Sequence, residues 1–210
     1  MYATASARES RDDVLLNAIR DIQLASIVIS AAGSFLASHV PMTVSSDARR
    51  LRCHVARANP IWEQVGSGCP ALAIFQGPHA YIHPGWFISV TPNDGAVPTW
   101  TYIAVHVHGR LTVVEDGTWL RAHLADLTSN NEAHRPEPWS LSDVPAAHME
   151  ALVEEIVGLE LTIERMEGSW KMAQSLPDAD RIAVAEALSR SDRPRETEVA
   201  IVMQQLLRKS

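Results

Sequence analysis

The chain has 210 residues, 46% of them hydrophobic and 20% charged, which suits one compact globular domain or one domain with a small helical appendage. Its net charge is −7 and its densest basic stretch is Arg193-Pro194-Arg195, so direct nucleic-acid binding through a basic face is disfavoured. No apolar run approaches the ~18 residues of a membrane span, and MYATASARESRDD lacks a signal-peptide pattern, so a cytoplasmic location is expected.

From Asp12 to Ile22, Val14, Leu15, Ala18, Ile19 and Ile22 share one helical stripe. Leu24 to Ser30 reads as a strand, Ala32-Gly33-Ser34 as a turn, and Phe35 to Val44 as the returning hairpin strand. Leu51 to Val55 is a third short strand. Asn59 caps a short helix with Pro60 at its first position. Pro70 to Phe75 is an apolar strand that Gly77-Pro78 interrupts; His79 to His83 continues extended, and Pro84-Gly85 ends it. Thr99 to Val114 carries the longest strand pattern. There Ile103, Val105 and Val107 face one way and Tyr102, His106 and His108 the other, with Gly109 at a bulge or bend. Asp116 to Thr128 is read as a helix, Ser129 to Pro138 as a polar loop, and Pro145 to Val157 as a helix ended by Gly158. Leu159 to Met166 alternates like a strand, and Asp178 to Leu188 and Thr197 to Arg208 are helical. An α+β fold, mainly β, follows: a small antiparallel barrel with flanking helices. We expect residues 1–170 to form the cofactor-binding barrel and 171–210 a helical extension of it.

Chemistry concentrates in CHVARANPIW (Cys53 to Trp62) and FQGPHAYIHPGW (Phe75 to Trp86). Flat apolar surface, imidazole and hydrogen-bonding groups together are what a planar cofactor requires. His54 is read either as an axial ligand or ring contact, or as a strand-end hydrogen-bonder; Arg57 either as the partner of a phosphate or carboxylate, or as a surface ion pair. His79 and His83 lie roughly 13 Å apart on an extended strand, too far to share one metal, and His106 and His108 about 7 Å apart. Paired imidazoles on a polar barrel face are favoured there over a zinc site. Trp62, Trp86 and Trp100 are candidate pocket walls; Trp119, Trp139 and Trp170 are assigned to the core. Cys53 and Cys69 form no CxxC pair, and no disulfide is expected. Neither carries a sequence feature that lowers a thiol pKa. No GxSxG, Walker A or Rossmann glycine motif occurs.

The strings SHVP (Ser38 to Pro41), HVARANPIW (His54 to Trp62), AIFQGPHAYIHPGWF (Ala73 to Phe87), VPTWTYIAVHVHGR (Val97 to Arg110), LTSNNEAHRPEPWSLSDVP (Leu127 to Pro145) and IVGLELTIERMEGSWKMAQSLPDADR (Ile156 to Arg181) run in order across most of the chain. With them it resembles the PaiB-like family, the FMN-binding negative transcriptional regulators. The resemblance implies a flavin-reductase-like split β-barrel, a homodimer, and a cofactor pocket near the subunit interface. Where the family has Gly-His before VARANP, Cys53 stands here. SPSWYPSK becomes HPGWFISV (His83 to Val90), without the lysine, and GKWKLSQN becomes GSWKMAQS (Gly168 to Ser175). These departures thin the basic and small residues of a phosphate site. They point to the branch that resembles the haem-dependent piperazate synthases, which close side-chain N-hydroxyornithine into a ring through an N–N bond. On that reading haem b is the cofactor, with FMN the alternative. His54 is the axial ligand, with His39 and His79 behind it. Arg57, Asn59, Trp62, Trp86 and Trp100 complete the cofactor site. Tyr81, His79 or Lys171 serves as the acid, and the substrate is a small amino acid. An FMN-binding regulator or a flavin-dependent reductase is the alternative function.

Overall fold

A computed structural model describes residues 1–89 and 95–208; Val90, which ends the HPGWFISV departure, lies outside them. In chain order the elements are β1 (Arg8–Glu9), α1 (Asp12–Ile22), β2 (Leu24–Ala31), β3 (Ser34–Pro41), β4 (Thr43–Val44), β5 (Arg50–Ala56), α2 (Ile61–Val65), β6 (Cys69–Ile82), β7 (Thr99–Val114), α3 (Gly117–Glu132), α4 (Ala146–Glu154), β8 (Ile156–Lys171), α5 (Asp178–Ser189) and α6 (Pro194–Leu207). The hydrogen-bonded strand order is β3-β2-β6-β7-β8-β5-β4, with β1 on β8. The expected mainly-β, α+β class is what forms.

The chain divides into two compact units, residues 1–15, 76–105 and 167–210 in one, and 16–75 and 106–166 in the other. In the first, α5 and α6 bury Val184, Leu188, Val199 and Met203 against Ala80, Ile82, Ile103 and Met172. The stripe expected on the last helix is the face that packs. Buried Asp180 accepts from the backbone N–H groups of Ile88 and Ser89 at 2.7 and 2.8 Å and from the Ser89 hydroxyl. The Ser89 hydroxyl, with those amides, holds its carboxyl below the usual range against the opposing effect of burial. That anchors the segment after the 3₁₀ turn Pro84–Trp86 to α5.

In the second unit β2 and β3 form a hairpin whose turn, Ala32-Gly33, has φ of 49° and 78°. Positive φ at both central positions is the primed turn that matches strand twist, which is why glycine stands there. The opposite edge of β2 pairs with Ala71 to Phe75 of β6. Strand β5 pairs with β8 in a register that sets Arg52 opposite Glu160 and His54 opposite Gly158.

Several expectations are corrected. Strand β6 runs through Gly77-Pro78 without a break. The β2 ladder ends at Phe75, so Pro78 withholds no N–H from it. The returning strand instead breaks at Met42, whose N–H bonds the Gln23 carbonyl at 2.9 Å; the chain then turns to pair Thr43 with Arg52. Gly158 does not end a helix. It lies inside β8, where an added Cβ would stand 2.5 Å from the Trp119 ring and 2.8 Å from the Val114 carbonyl oxygen. Gly109 sits in an unbroken β7. Helix α3 continues four residues past Thr128, and α6 begins at Pro194. Trp139 is not core: it is 46% exposed.

Candidate functional site

Strand alternation buries Leu51, Cys53 and Val55 and turns Arg52 and His54 to the other face of β5. Helix α3 supplies the groups that meet them. Asp116 caps it through the Thr118 and Trp119 amides, and Trp119 and His123, four residues apart, project from one side. His54 Nδ1 and His123 Nε2 lie 3.1 Å apart, rings edge to face at 5.3 Å. Behind them the Thr43 hydroxyl lies 3.4 Å from His123 Nδ1. The Trp119 ring stacks on His123 at 5.4 Å, and the Arg52 guanidinium lies over the Trp119 ring at 5.8 Å. Arg52 also pairs with Glu160 at 3.3 Å.

In both imidazoles the cation is disfavoured. Burial lowers the pKa of His54, and burial, then the neighbouring His54 and Arg52 charges, brings His123 down to about 4. His123 is fully buried, so removing it from water disfavours its cation. Gly158 makes the stack possible, since the Trp119 ring occupies the space of a side chain opposite His54. Gly158→Ala is expected to cost about 1–3 kcal/mol through this overpacking, measured by urea denaturation; an unchanged midpoint would contradict the close approach.

Other cofactor candidates lie in the same unit. Arg57 donates from Nε to the Glu154 carbonyl at 2.8 Å, from Nη2 to the Ile156 carbonyl at 3.2 Å and from Nη1 to Glu115 at 3.2 Å. It thus ties the end of β5 to the start of β8. The Trp62 indole N–H donates to the Arg57 carbonyl at 2.9 Å, and its ring lies 5.9 Å from that guanidinium. Asn59 accepts from the Ile61 N–H and donates to Ser38; the helix begins at Ile61, one residue later than expected, with Pro60 instead of Asn59 at the cap position. His39 is exposed on β3, its Nδ1 2.9 Å from the hydroxyl of Ser26, its cross-strand neighbour.

The remaining candidates belong to the first unit. His79, Tyr81, Trp100 and Arg195 line a cleft of about 500 Å³; Lys171, Thr99, Gln174 and the other side of Trp100 line one of about 410 Å³. Trp100, 54% exposed, is the wall between them, 6.0 Å from the His79 ring and 6.2 Å from that of Tyr81. Lys171 donates to the Thr99 hydroxyl at 2.9 Å and lies over the Tyr102 ring at 6.0 Å. Tyr81 and Lys171 thus open to different clefts. His79 Nδ1 lies 3.3 Å from the Gly77 carbonyl and Nε2 3.5 Å from Arg195 Nη1. A carbonyl on one side and a guanidinium on the other select the Nδ1–H tautomer, in which Nε2 accepts. Trp86 packs against the helical core and meets His83 edge to face at 6.0 Å. Cys53 is fully buried and its thiol is pushed up to about 12, so it offers no thiolate.

His123 was not among the sequence candidates. Its signal is present: Trp119, Leu120 and His123 stand on one side of a capped helix, an aromatic four residues from an imidazole. The donor set suits a haem iron at His54. His54 Nδ1 lies 3.1 Å from His123 Nε2, and an imidazole that donates its Nδ1–H to such a partner keeps Nε2 for a metal, the arrangement that ligating histidines carry. For propionates or a phosphate, Arg57, three residues along the chain from His54, is the candidate cation, and its Glu115 partner is the exposed one.

Residues 1–165 match the family model described as "Putative FMN-binding domain". The chain is 26% identical to the protease synthase and sporulation protein PAI 2 of Bacillus subtilis (strain 168), over 100% of this chain and 99% of that protein. Among solved structures it is similar to the FAD and heme binding protein from Mycobacterium smegmatis, with a TM-score of 0.62, 15% identity, and 83% of this chain and 78% of that one covered. It is likewise similar to the flavocytochrome Anf3 from Azotobacter vinelandii, with a TM-score of 0.60, 13% identity, and 84% and 75% covered. These likenesses carry the flavin-reductase-like split-barrel fold. The chain belongs to the PaiB-like FMN-binding family.

Proposed function

We propose that this member of the family is a haem-dependent enzyme resembling piperazate synthase, which forms an intramolecular N–N bond in side-chain N-hydroxyornithine to give piperazic acid. The observation that carries the reading is the imidazole pair, with Nδ1 of half-buried His54 3.1 Å from Nε2 of fully buried His123. Haem b, when bound, supplies a Lewis-acidic iron that makes the hydroxylamine nitrogen electrophilic. His54 would hold the iron, and Arg57 would exchange Glu115 for a propionate.

The rest falls to the chain's own groups. The reaction is a loss of water: the α-amine attacks the side-chain nitrogen and gives up one proton as the N–N bond forms, the N–O bond breaks, and the departing hydroxide takes one proton from an acid that the amine's proton then restores. No reductant is consumed. Lys171 and Tyr81 are the donors suited to that proton, whereas His79 in its Nδ1–H tautomer presents a lone pair to Arg195. The attack is intramolecular, so folding the substrate chain on itself supplies much of the rate. A cytoplasmic homodimer completes the reading.

Hemin titrated into the purified protein is expected to give a Soret band, and His54→Ala to weaken hemin binding at least tenfold. A wild-type protein without a Soret band, or an unaltered band in His54→Ala, overturns the assignment. The family match favours a second reading, an FMN-binding regulator or flavin-dependent reductase. A yellow protein that releases FMN on heating, or oxidises nicotinamide with added FMN, would select it.

A further inference from the structure

We infer that His123 is the positioning residue for His54: it accepts the Nδ1–H and so fixes both the ring plane and the tautomer that leaves Nε2 as a bare lone pair. What Nε2 meets rests on the haem reading above; the tautomer does not. His54 is only half-buried on its strand, and among the described residues the one hydrogen bond of its side chain is to His123. His123, by contrast, is immobilised on every side. It is fully buried, stacked on Trp119 at 5.4 Å and backed by the Thr43 hydroxyl at 3.4 Å. An interplanar angle of 66° between the two imidazoles suits a ring-edge hydrogen bond rather than a stack.

Two neutral imidazoles in series have one N–H each, so the chain of bonds runs in one direction only. In the first direction His54 Nδ1–H donates to His123 Nε2, and His123 Nδ1–H donates to the Thr43 oxygen. His54 Nε2 is then unprotonated. In the second, the Thr43 hydroxyl donates to His123, His123 donates to His54, and His54 Nε2 carries a proton and cannot bind a metal. The Thr43 oxygen has two lone pairs and only one proton, so accepting is the role it fills without giving up its own donor. The first direction is also the one a ligating role for His54 would need, since a ligating histidine donates its other N–H to a partner within the protein. Here that partner is a second imidazole instead of a carboxylate or carbonyl.

The test is the tautomer of His54, read by long-range ¹⁵N–¹H correlation on histidine-labelled protein near neutral pH without any cofactor. The wild type is expected to show Nδ1–H on both His54 and His123. Thr43→Val keeps the shape but leaves the buried His123 Nδ1–H without an acceptor, so the chain reverses and His54 becomes the Nε2–H form. Hemin binding is expected to fall about 10- to 100-fold in Thr43→Val and in His123→Phe, with the far-UV circular dichroism of Thr43→Val unchanged. Nε2–H on His54 in the wild type overturns the inference, and so does a wild-type tautomer pattern in Thr43→Val. A wild type that binds no hemin yet shows the expected tautomers overturns the haem reading alone and upholds the positioning role.

Discussion

Gly109→Ala is expected to lower the stability of the protein by about 3 kcal/mol or more, at the upper end of overpacking effects. An added Cβ would stand 1.9 Å from the Thr162 carbonyl oxygen, 2.9 Å from its carbon and 3.3 Å from Leu161 Cδ1. The first two atoms are backbone, fixed within β8, so no rotamer change relieves the clash and one strand must move. Thr162 is paired on its other side with Arg50 of β5, so a shift there disturbs that register as well. For a chain of this size the expected fall in melting temperature is roughly 6–12 °C. Gly117→Ala is the matched control. A Cβ there meets only the flexible end of Arg121, at 3.2 Å, and the position opens α3. That change is expected to be neutral or to stabilise by up to about 1 kcal/mol. Equal melting temperatures in the two variants would contradict the close crossing at Gly109.

The two strand glycines show where sequence reading stops. Read as punctuation, Gly109 becomes a bulge and Gly158 a helix end, because the nearest neighbours in sequence are all such reading can use. Their reasons lie 53 and 39 residues away, at Thr162 and Trp119. Features carried by local pattern were legible. Helix α1 spans Asp12–Ile22 as its stripe predicts, and the alternation of Thr99 to Val114 is the burial pattern of β7. The hairpin turn at Gly33 was legible for the same reason. Trp100 lines clefts and Trp170 packs on the core as expected, but Trp139 was not legible. Hydrophobicity ranks Trp139 as core, yet its partners decide, and it ends up lining a shallow cleft of about 400 Å³ beside Glu132.

The site divides in the same way. HVARANPIW announces His54, Arg57, Asn59 and Trp62 because the chemistry is packed into nine residues. What those residues do depends on partners brought by folding. Glu115, Glu154 and Ile156 engage every nitrogen of the Arg57 guanidinium. His123, 69 residues from His54, turns a lone imidazole into a pair. A lone half-buried histidine is most simply a strand-end hydrogen-bonder. The structure gives it a partner for Nδ1 in a second, buried histidine, and the proposed ligand role builds on that contact.

That pair should make the protein acid-sensitive before its carboxylates titrate. Both histidines have folded pKa values below the ordinary one, so between the folded and unfolded values the unfolded chain binds more protons. Stability is therefore fully present above the ordinary histidine pKa and is lost as pH falls toward the folded value. With His123 at about 4 against 6.5, the loss is about 3 kcal/mol by pH 4, most of it between pH 6.5 and 4.5. His54 adds to it in the same direction. The carboxylates held low by hydrogen bonds, Glu9, Asp47 and Asp180, also favour the folded state. Their contribution is lost only as pH falls below the ordinary carboxylate range, so the two classes separate on the pH axis. Urea midpoints at pH 7, 6, 5 and 4 are expected to fall steeply in the wild type from the first step. In His123→Phe the curve should start lower, because the bond to His54 is gone, but run flatter until the carboxylates protonate. Parallel curves would mean that His123 takes up its proton as readily folded as unfolded, which a fully buried imidazole stacked on Trp119 and facing Arg52 does not do.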